Sequence, residues 1–158
     1  MVTVMGGSVL DKLLAISDLF QRDMARAFAG TPLTPARVAV LWTLQLHGCS
    51  TQQALAGALD VSARNISALV DALEANDYVH RTPHPSDRRA VIVKLTPMAE
   101  ELMETMQREH AALGTTLLAA VASADIPAFE RGIDAVIARL TELVAAEADE
   151  PEKKGTTP

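Results

Sequence analysis

The sequence predicts a mainly α fold with a small β-hairpin wing, in which a winged helix-turn-helix is joined to a helical dimerisation domain formed by both chain ends. Three observations predict it. Apolar residues recur at helical spacing along most of the 158 residues, and aromatics make up only 3% of them, a composition that favours helices over sheets. In mid-chain a turn of only Asp60-Val61-Ser62 separates two helical segments. Directly after them, between Tyr78 and Thr96, the hydrophobic period changes from helical to alternating.

The elements follow in order. Ser8 with Asp11 three residues on is an approximate capping box, and Leu10, Leu13, Leu14, Phe20, Met24 and Phe28 continue it as a helical stripe. Gly30 and Thr31-Pro32 end that helix. Thr34-Pro35 reads as an N-cap followed by proline at the first helical position. The second helix carries Val38, Leu41, Trp42 and Leu44, with Gly48 as its C-cap. Ser50 or Thr51 caps a short helix through about Leu59, and Ser62 caps a longer one. Ile66, Leu69, Val70 and Leu73 share one face of that longer helix; Arg64, Asn65, Ser67, Ala68 and Asp71 lie on the other. Two helices joined by so brief a turn cross steeply, as in a helix-turn-helix.

"YVHRT" and "RAVIVKL" are two β-like runs joined by "PHPSDR", a hairpin with a polar tip. Val91, Val93 and Leu95 are expected on one face, Ile92 and Lys94 on the other. Thr96-Pro97 opens a further helix, with Glu100 and Glu101 suiting its first turn. Met103, Met106, His110, Leu113 and Leu117 then form a seam, and Phe129, Ile133, Val136, Leu140 and Leu143 form another. Such seams bury against a partner helix. The domain boundaries that result are 1–30 and 97–147 for the helical dimerisation region, 31–96 for the winged helix-turn-helix, and 148–158 for a disordered polar tail.

Bulk properties bound the function. Hydrophobic residues make up 49% and charged residues 22%, as in globular proteins. No apolar run approaches the roughly 18 residues of a membrane helix. The N-terminus has no basic segment followed by an apolar core, and the single Cys49 excludes an intramolecular disulfide. A cytoplasmic location with no membrane partner is expected. The net charge of −6 is unevenly spread. Residues 31–96 hold six Lys/Arg against five Asp/Glu, net +1, and the rest of the chain holds eight against fifteen, net −7. Local potential governs association with phosphates, so the middle segment stays a candidate for DNA.

A recognition helix needs short or polar side chains in its first turns, so that its backbone enters the major groove and donors reach base edges. Ser62, Ala63, Arg64, Asn65, Ile66, Ser67 and Ala68 suit this requirement. Arg64 matches guanine and Asn65 adenine, while Thr51, Gln52, Ser62 and Ser67 suit phosphates. Arg81, at the start of the hairpin, joins the DNA-contacting set. In "HPSDRRAVIVKLT", residues 84–96, Arg88 and Arg89 suit the narrow minor groove beside the helix. Asp87 can hold a neighbouring guanidinium in a fixed fork. Each patch alone also fits an ordinary solvated face; their order along the chain favours DNA.

That order carries a resemblance. "LTPARVAVLWTL", then "LA", "VSARNISALVDALEANDYVHR" and "DRRAVIVKLT" resemble the MarR family of bacterial transcriptional regulators over about residues 31–100. The resemblance implies a homodimer, a pseudo-palindromic duplex-DNA operator, repression relieved by a small molecule, and Arg89, supported by Asp87, as the wing's DNA contact. Two departures stand out. Asn76-Asp77 replaces the glycine usual where the recognition helix ends, and Ala99 replaces one common after "LT".

Other residues carry weaker readings. Cys49 has no neighbouring cation in sequence to lower its pKa, so thiol sensing is not expected. His110 is read first as a histidine satisfied within a helical interface. The second reading puts it with Phe20, Met24 and Trp42 around a small apolar or aromatic ligand, between the helical base and the DNA-binding lobes. No cofactor or metal is expected. With no Gly-rich phosphate loop, nucleophile–base pair or ligand cluster, neither is an enzyme. The competing reading is a winged-helix protein-interaction module that does not bind DNA, suggested by the acidity and the single arginine of the recognition helix.

Overall fold

In a computed structural model of the chain, which describes residues 7–84 and 91–148, Ser8 opens the first helix, α1 (Val9–Ala27), with a reciprocal capping box. Its Oγ accepts from the Asp11 N–H at 3.1 Å, and its own N–H donates to Asp11 Oδ2 at 3.2 Å. Helix α2 (Pro35–His47) starts under Thr34, whose Oγ1 accepts from the Arg37 N–H at 3.3 Å, and stops at Gly48, where φ is +74°. The positive φ is what asks for glycine there.

Two short elements follow. Strand β1 (Ser50–Thr51) runs straight into helix α3 (Gln52–Ala58), and Ser62 caps helix α4 (Ala63–Glu74). Strands β2 (Val79–Pro83) and β3 (Val91–Leu95) form the antiparallel hairpin. Thr96 Oγ1 accepts from the Ala99 N–H at 3.2 Å and so caps helix α5 (Pro97–Leu118); helix α6 (Ile126–Ala148) completes the described chain. Two compact units result, Met1–Gln107 and Arg108–Pro158, with the division falling inside α5.

The first unit has one aliphatic core. Leu41, Leu55, Ile66, Leu73, Met103, Val38, Val40, Val70, Val79 and Val93 are fully buried in it. Met24, Phe28 and Trp42 are partly buried and pack against it. Val40, absent from the stripe expected on α2, is as buried as Leu41. No membrane-length apolar helix occurs among the described residues.

The sheet departs from the expected two-stranded wing. It has three strands in the order β1-β3-β2, with Ser50 opposite Val93 and Thr51 opposite Ile92. A strand of two residues has no periodicity to read. The extra strand also explains an imperfect alternation in β3. Val93 is buried and Leu95 packs on the core as expected, but Ile92 on the other face is buried as well. As the central strand, β3 has Thr51 on one side of Ile92 and Thr82 on the other. Val91 pairs with Pro83, one residue beyond the register of β1, and is 43% exposed.

Helices α3 and α4 end alike, each on an aspartate in the left-handed region. Asp60 has φ +51° and Asp77 φ +64°. The Val61 N–H reaches the Ala56 carbonyl at 3.0 Å and the Asp60 N–H that of Gly57 at 3.4 Å; Tyr78 reaches Leu73 at 3.0 Å and Asp77 reaches Glu74 at 3.1 Å. This crossed pair of bonds is a Schellman cap, usually closed by glycine. Asp77 thus takes the conformation that the missing glycine would have supplied. A side chain in that region is strained, and an acid sits unfavourably at a helix C-terminus. Asp77→Gly is therefore expected to raise stability by about 1 kcal/mol, and Asp77→Val to lower it by at least as much. The shift in urea midpoint measures both, and an unchanged midpoint for the glycine variant would contradict the strain.

Candidate nucleic-acid interface

The helical period sorts the side chains of α4. Ile66, Val70 and Leu73 point into the core, while Ser62, Ala63, Arg64, Asn65, Ala68 and Asp71 are exposed and Ser67 is half-buried. Short side chains in the first turns leave the backbone approachable, and Arg64 and Asn65 stand clear as donors. Both helices of the pair begin under a hydroxyl. Thr51 Oγ1 accepts from the Ala54 N–H at 3.1 Å, and Ser62 Oγ from the Asn65 N–H at 3.2 Å. A hydroxyl that accepts in this way still carries its own hydrogen as a donor, so capping does not remove Thr51 or Ser62 from phosphate binding.

Arg81 is differently placed. Its backbone N–H donates to Glu74 Oε1 at 2.8 Å, its Nη1 donates to Glu74 Oε2, and its Nη2 reaches Asp71 Oδ1 at 2.5 Å. With the Gln52 amide in the orientation that satisfies its surroundings, the amide oxygen accepts from Arg81 Nε and Nη2 at 2.9 Å each. The guanidinium is therefore occupied by α3 and α4 together. The Arg81 N–H bound to its carboxylate lowers the Glu74 pKa below 4.5, helped by the guanidinium and opposed by burial and by Asp71. Burial disfavours the charge on Arg81, but hydrogen bonds and charge from Asp71 and Glu74 outweigh it and raise its pKa.

The structure brings Thr51, Gln52, Ser62, Ala63, Arg64, Asn65, Ser67 and Arg81 into one unit built on one core. Asp87, Arg88 and Arg89 lie outside the described residues, as does the tail beyond residue 148. Of the residues read as lining a ligand pocket, Met24 and Trp42 pack on the core of the first unit and Phe20 is 44% exposed. His110 is exposed and belongs to the second unit. Glu74 as a partner of Arg81 escaped the sequence reading. The contact joins residues seven apart across a helix end, where neither helical nor strand spacing applies.

Residues 33–91 match the model of the MarR family. HTH-type transcriptional repressor NicR of Pseudomonas putida is 38% identical over 74 residues, 47% of this chain and 47% of that protein. Multiple antibiotic resistance protein MarR of Salmonella typhimurium is 32% identical over 72 residues, 46% of this chain and 50% of that protein. The chain spans about half the length of these curated relatives. Streptococcus pneumoniae FabT, solved in complex with DNA, superposes with a TM-score of 0.80 at 17% identity, over 85% of this chain and 96% of FabT. At that identity the likeness is one of fold.

The ion pairs make acid stability diagnostic. Because the folded-state pKa of Glu74 is lowered, its stabilisation is full above the unfolded value of about 4.5 and is lost as pH falls through the lower folded value. Urea midpoints of the wild type and Glu74→Gln should differ most above pH 4.5 and converge below it. Curves that stay parallel at every acid pH at which both proteins remain folded would contradict the pairing.

Proposed function

From the match of residues 33–91 to the model of the MarR family, we propose that the chain is a winged-helix member of that family and a sequence-specific, duplex-DNA-binding transcriptional regulator, a homodimeric repressor relieved by a small-molecule ligand. The observation that carries the reading is the exposed first half of α4, where Arg64 and Asn65 stand among Ser62, Ala63 and Ala68 on a helix whose other face is locked in the core. In this reading α4 enters the major groove. Arg64 and Asn65 read bases, and Thr51, Ser62 and Ser67 bind phosphates. Arg88 and Arg89, supported by Asp87, reach the adjacent minor groove. Names of relatives point the same way: NicR is a transcriptional repressor, and FabT was solved on DNA.

Dimerisation is supported by uncovered apolar surface. Leu10 and Leu14 on α1 are 64% and 60% exposed, and Ile137 and Leu140 on α6 are each 58% exposed. Leu117 of α5 and Phe129, Val136 and Leu143 of α6 are exposed in the same way. Apolar surface on this scale marks an interaction site, and a second copy of the chain, covering its own equivalent helices, is the simplest partner. A small apolar or aromatic ligand completes the regulatory reading.

Selection from random duplexes at low salt should enrich an inverted repeat with half-sites about 10 bp apart. Absence of enrichment would sink the regulator and leave a protein-interaction module. Asn65→Ala should relax preference at one base position at a cost of about 1–3 kcal/mol. Arg88→Ala with Arg89→Ala should weaken binding to all duplexes and flatten the salt dependence by about one unit per lost phosphate contact. Sedimentation at micromolar concentration should return twice the chain mass, and a monomer would overturn the dimer.

A further inference from the structure

We infer that Arg81 is a positioning residue, which ties the first strand of the hairpin to both helices of the helix-turn-helix and so sets where the hairpin meets DNA. The inference rests on the DNA-binding reading and refines it, because Arg81 then leaves the DNA-contacting set.

Four features carry it. First, every edge of the guanidinium is engaged: Nε and Nη2 by the Gln52 amide oxygen, Nη2 also by Asp71, and Nη1 by Glu74. Second, the partners come from two elements, Gln52 from the first turn of α3 and Asp71 and Glu74 from α4, while Arg81 belongs to β2. Asp71 and Glu74 are three apart and so share one side of the helix. Third, Glu74 also accepts the Arg81 backbone N–H at 2.8 Å, so the strand's main chain is held as well as its side chain. Fourth, the charges are wrong for a phosphate contact. One cation stands between two carboxylates, a local net of −1, and the guanidinium side is the more enclosed, 24% exposed against 62% for Asp71 and 37% for Glu74.

Geometry also explains why the residue is arginine. The planar fork donates along several edges at once, whereas a lysine ammonium is a point charge on a flexible stem. A phosphate contact would tolerate lysine; a three-element tie would not. Asp71 adds a test of sign. It lies on the exposed face of α4, so removing its charge should strengthen DNA binding if only electrostatics acted. If Asp71 holds Arg81, its loss should weaken binding instead.

The experiment compares wild type, Arg81→Lys, Asp71→Asn and Glu74→Gln on the selected duplex, with hydrogen exchange of the 79–83 strand followed in the free proteins. The expected result is weaker binding by all three variants, on the order of tenfold, together with faster exchange in 79–83 and unchanged exchange in α2. Wild-type affinity for Arg81→Lys, or tighter binding by Asp71→Asn, would overturn the inference. Exchange separates this outcome from failure of the regulator reading. A wild type that bound no duplex would remove the DNA role, and unchanged exchange in the variants would remove the tie itself.

Discussion

Everything that orients the candidate interface hangs on one shared cluster of aliphatic side chains. Helix α2 gives it Val38, Val40, Leu41 and Leu44; α4 gives Ile66, Val70 and Leu73; α5 gives Met103. Helix α3 and strands β2 and β3 give one fully buried residue each, Leu55, Val79 and Val93. The dependence is most acute for α3. Seven residues are too few to hold a helix in water unaided. Burying a leucine contributes about 1.5–3 kcal/mol and a helix cap about 1 kcal/mol. Leu55 therefore outweighs the Thr51 cap in keeping α3 in place, and the cap refines where its first turn lies.

The parts of the fold written as local patterns were legible in the sequence. Capping signals at Ser8, Thr34, Ser62 and Thr96 are each made by a hydroxyl accepting from an N–H three residues on, a contact determined within one turn of chain. The exposed face of α4 follows from its 3.6-residue period in the same way. What escaped has long or irregular reach. Strand β1 exists because Ser50 and Thr51 meet Ile92 and Val93 some forty residues later. Asp71 and Glu74 are an ordinary polar stretch until β2 folds back beside α4 and delivers Arg81. Aspartate at positions 60 and 77 takes the left-handed conformation that glycine usually supplies at a helix end, bearing some strain.

Charge illustrates the same limit. The chain is acidic, and its middle segment, residues 31–96, is close to neutral, which by itself says little about a phosphate partner. Structure separates the cations within that segment. Arg64 is exposed on the face of α4 that is short-chained and open, whereas Arg81 is enclosed by carboxylates and Arg37 donates to the Pro32 carbonyl. A count of arginines treats these three as equal. Only their surroundings separate a side chain that can greet a ligand from one that braces the scaffold.

Strand β3 is the ruler from which these parts are measured. Ile92 lies opposite Thr51 on one side and Thr82 on the other, and Val93 lies opposite Ser50 and Arg81. Two adjacent rungs therefore locate both the cap of α3 and the arginine that reaches α4. Slipping a strand by one residue turns every side chain to the opposite face, so one inserted residue within 91–95 would expel Val93 from the core and displace both features together. Evolution has little room for length changes there. Related chains are best aligned outward from that pair, however much the hairpin between the strands varies in length.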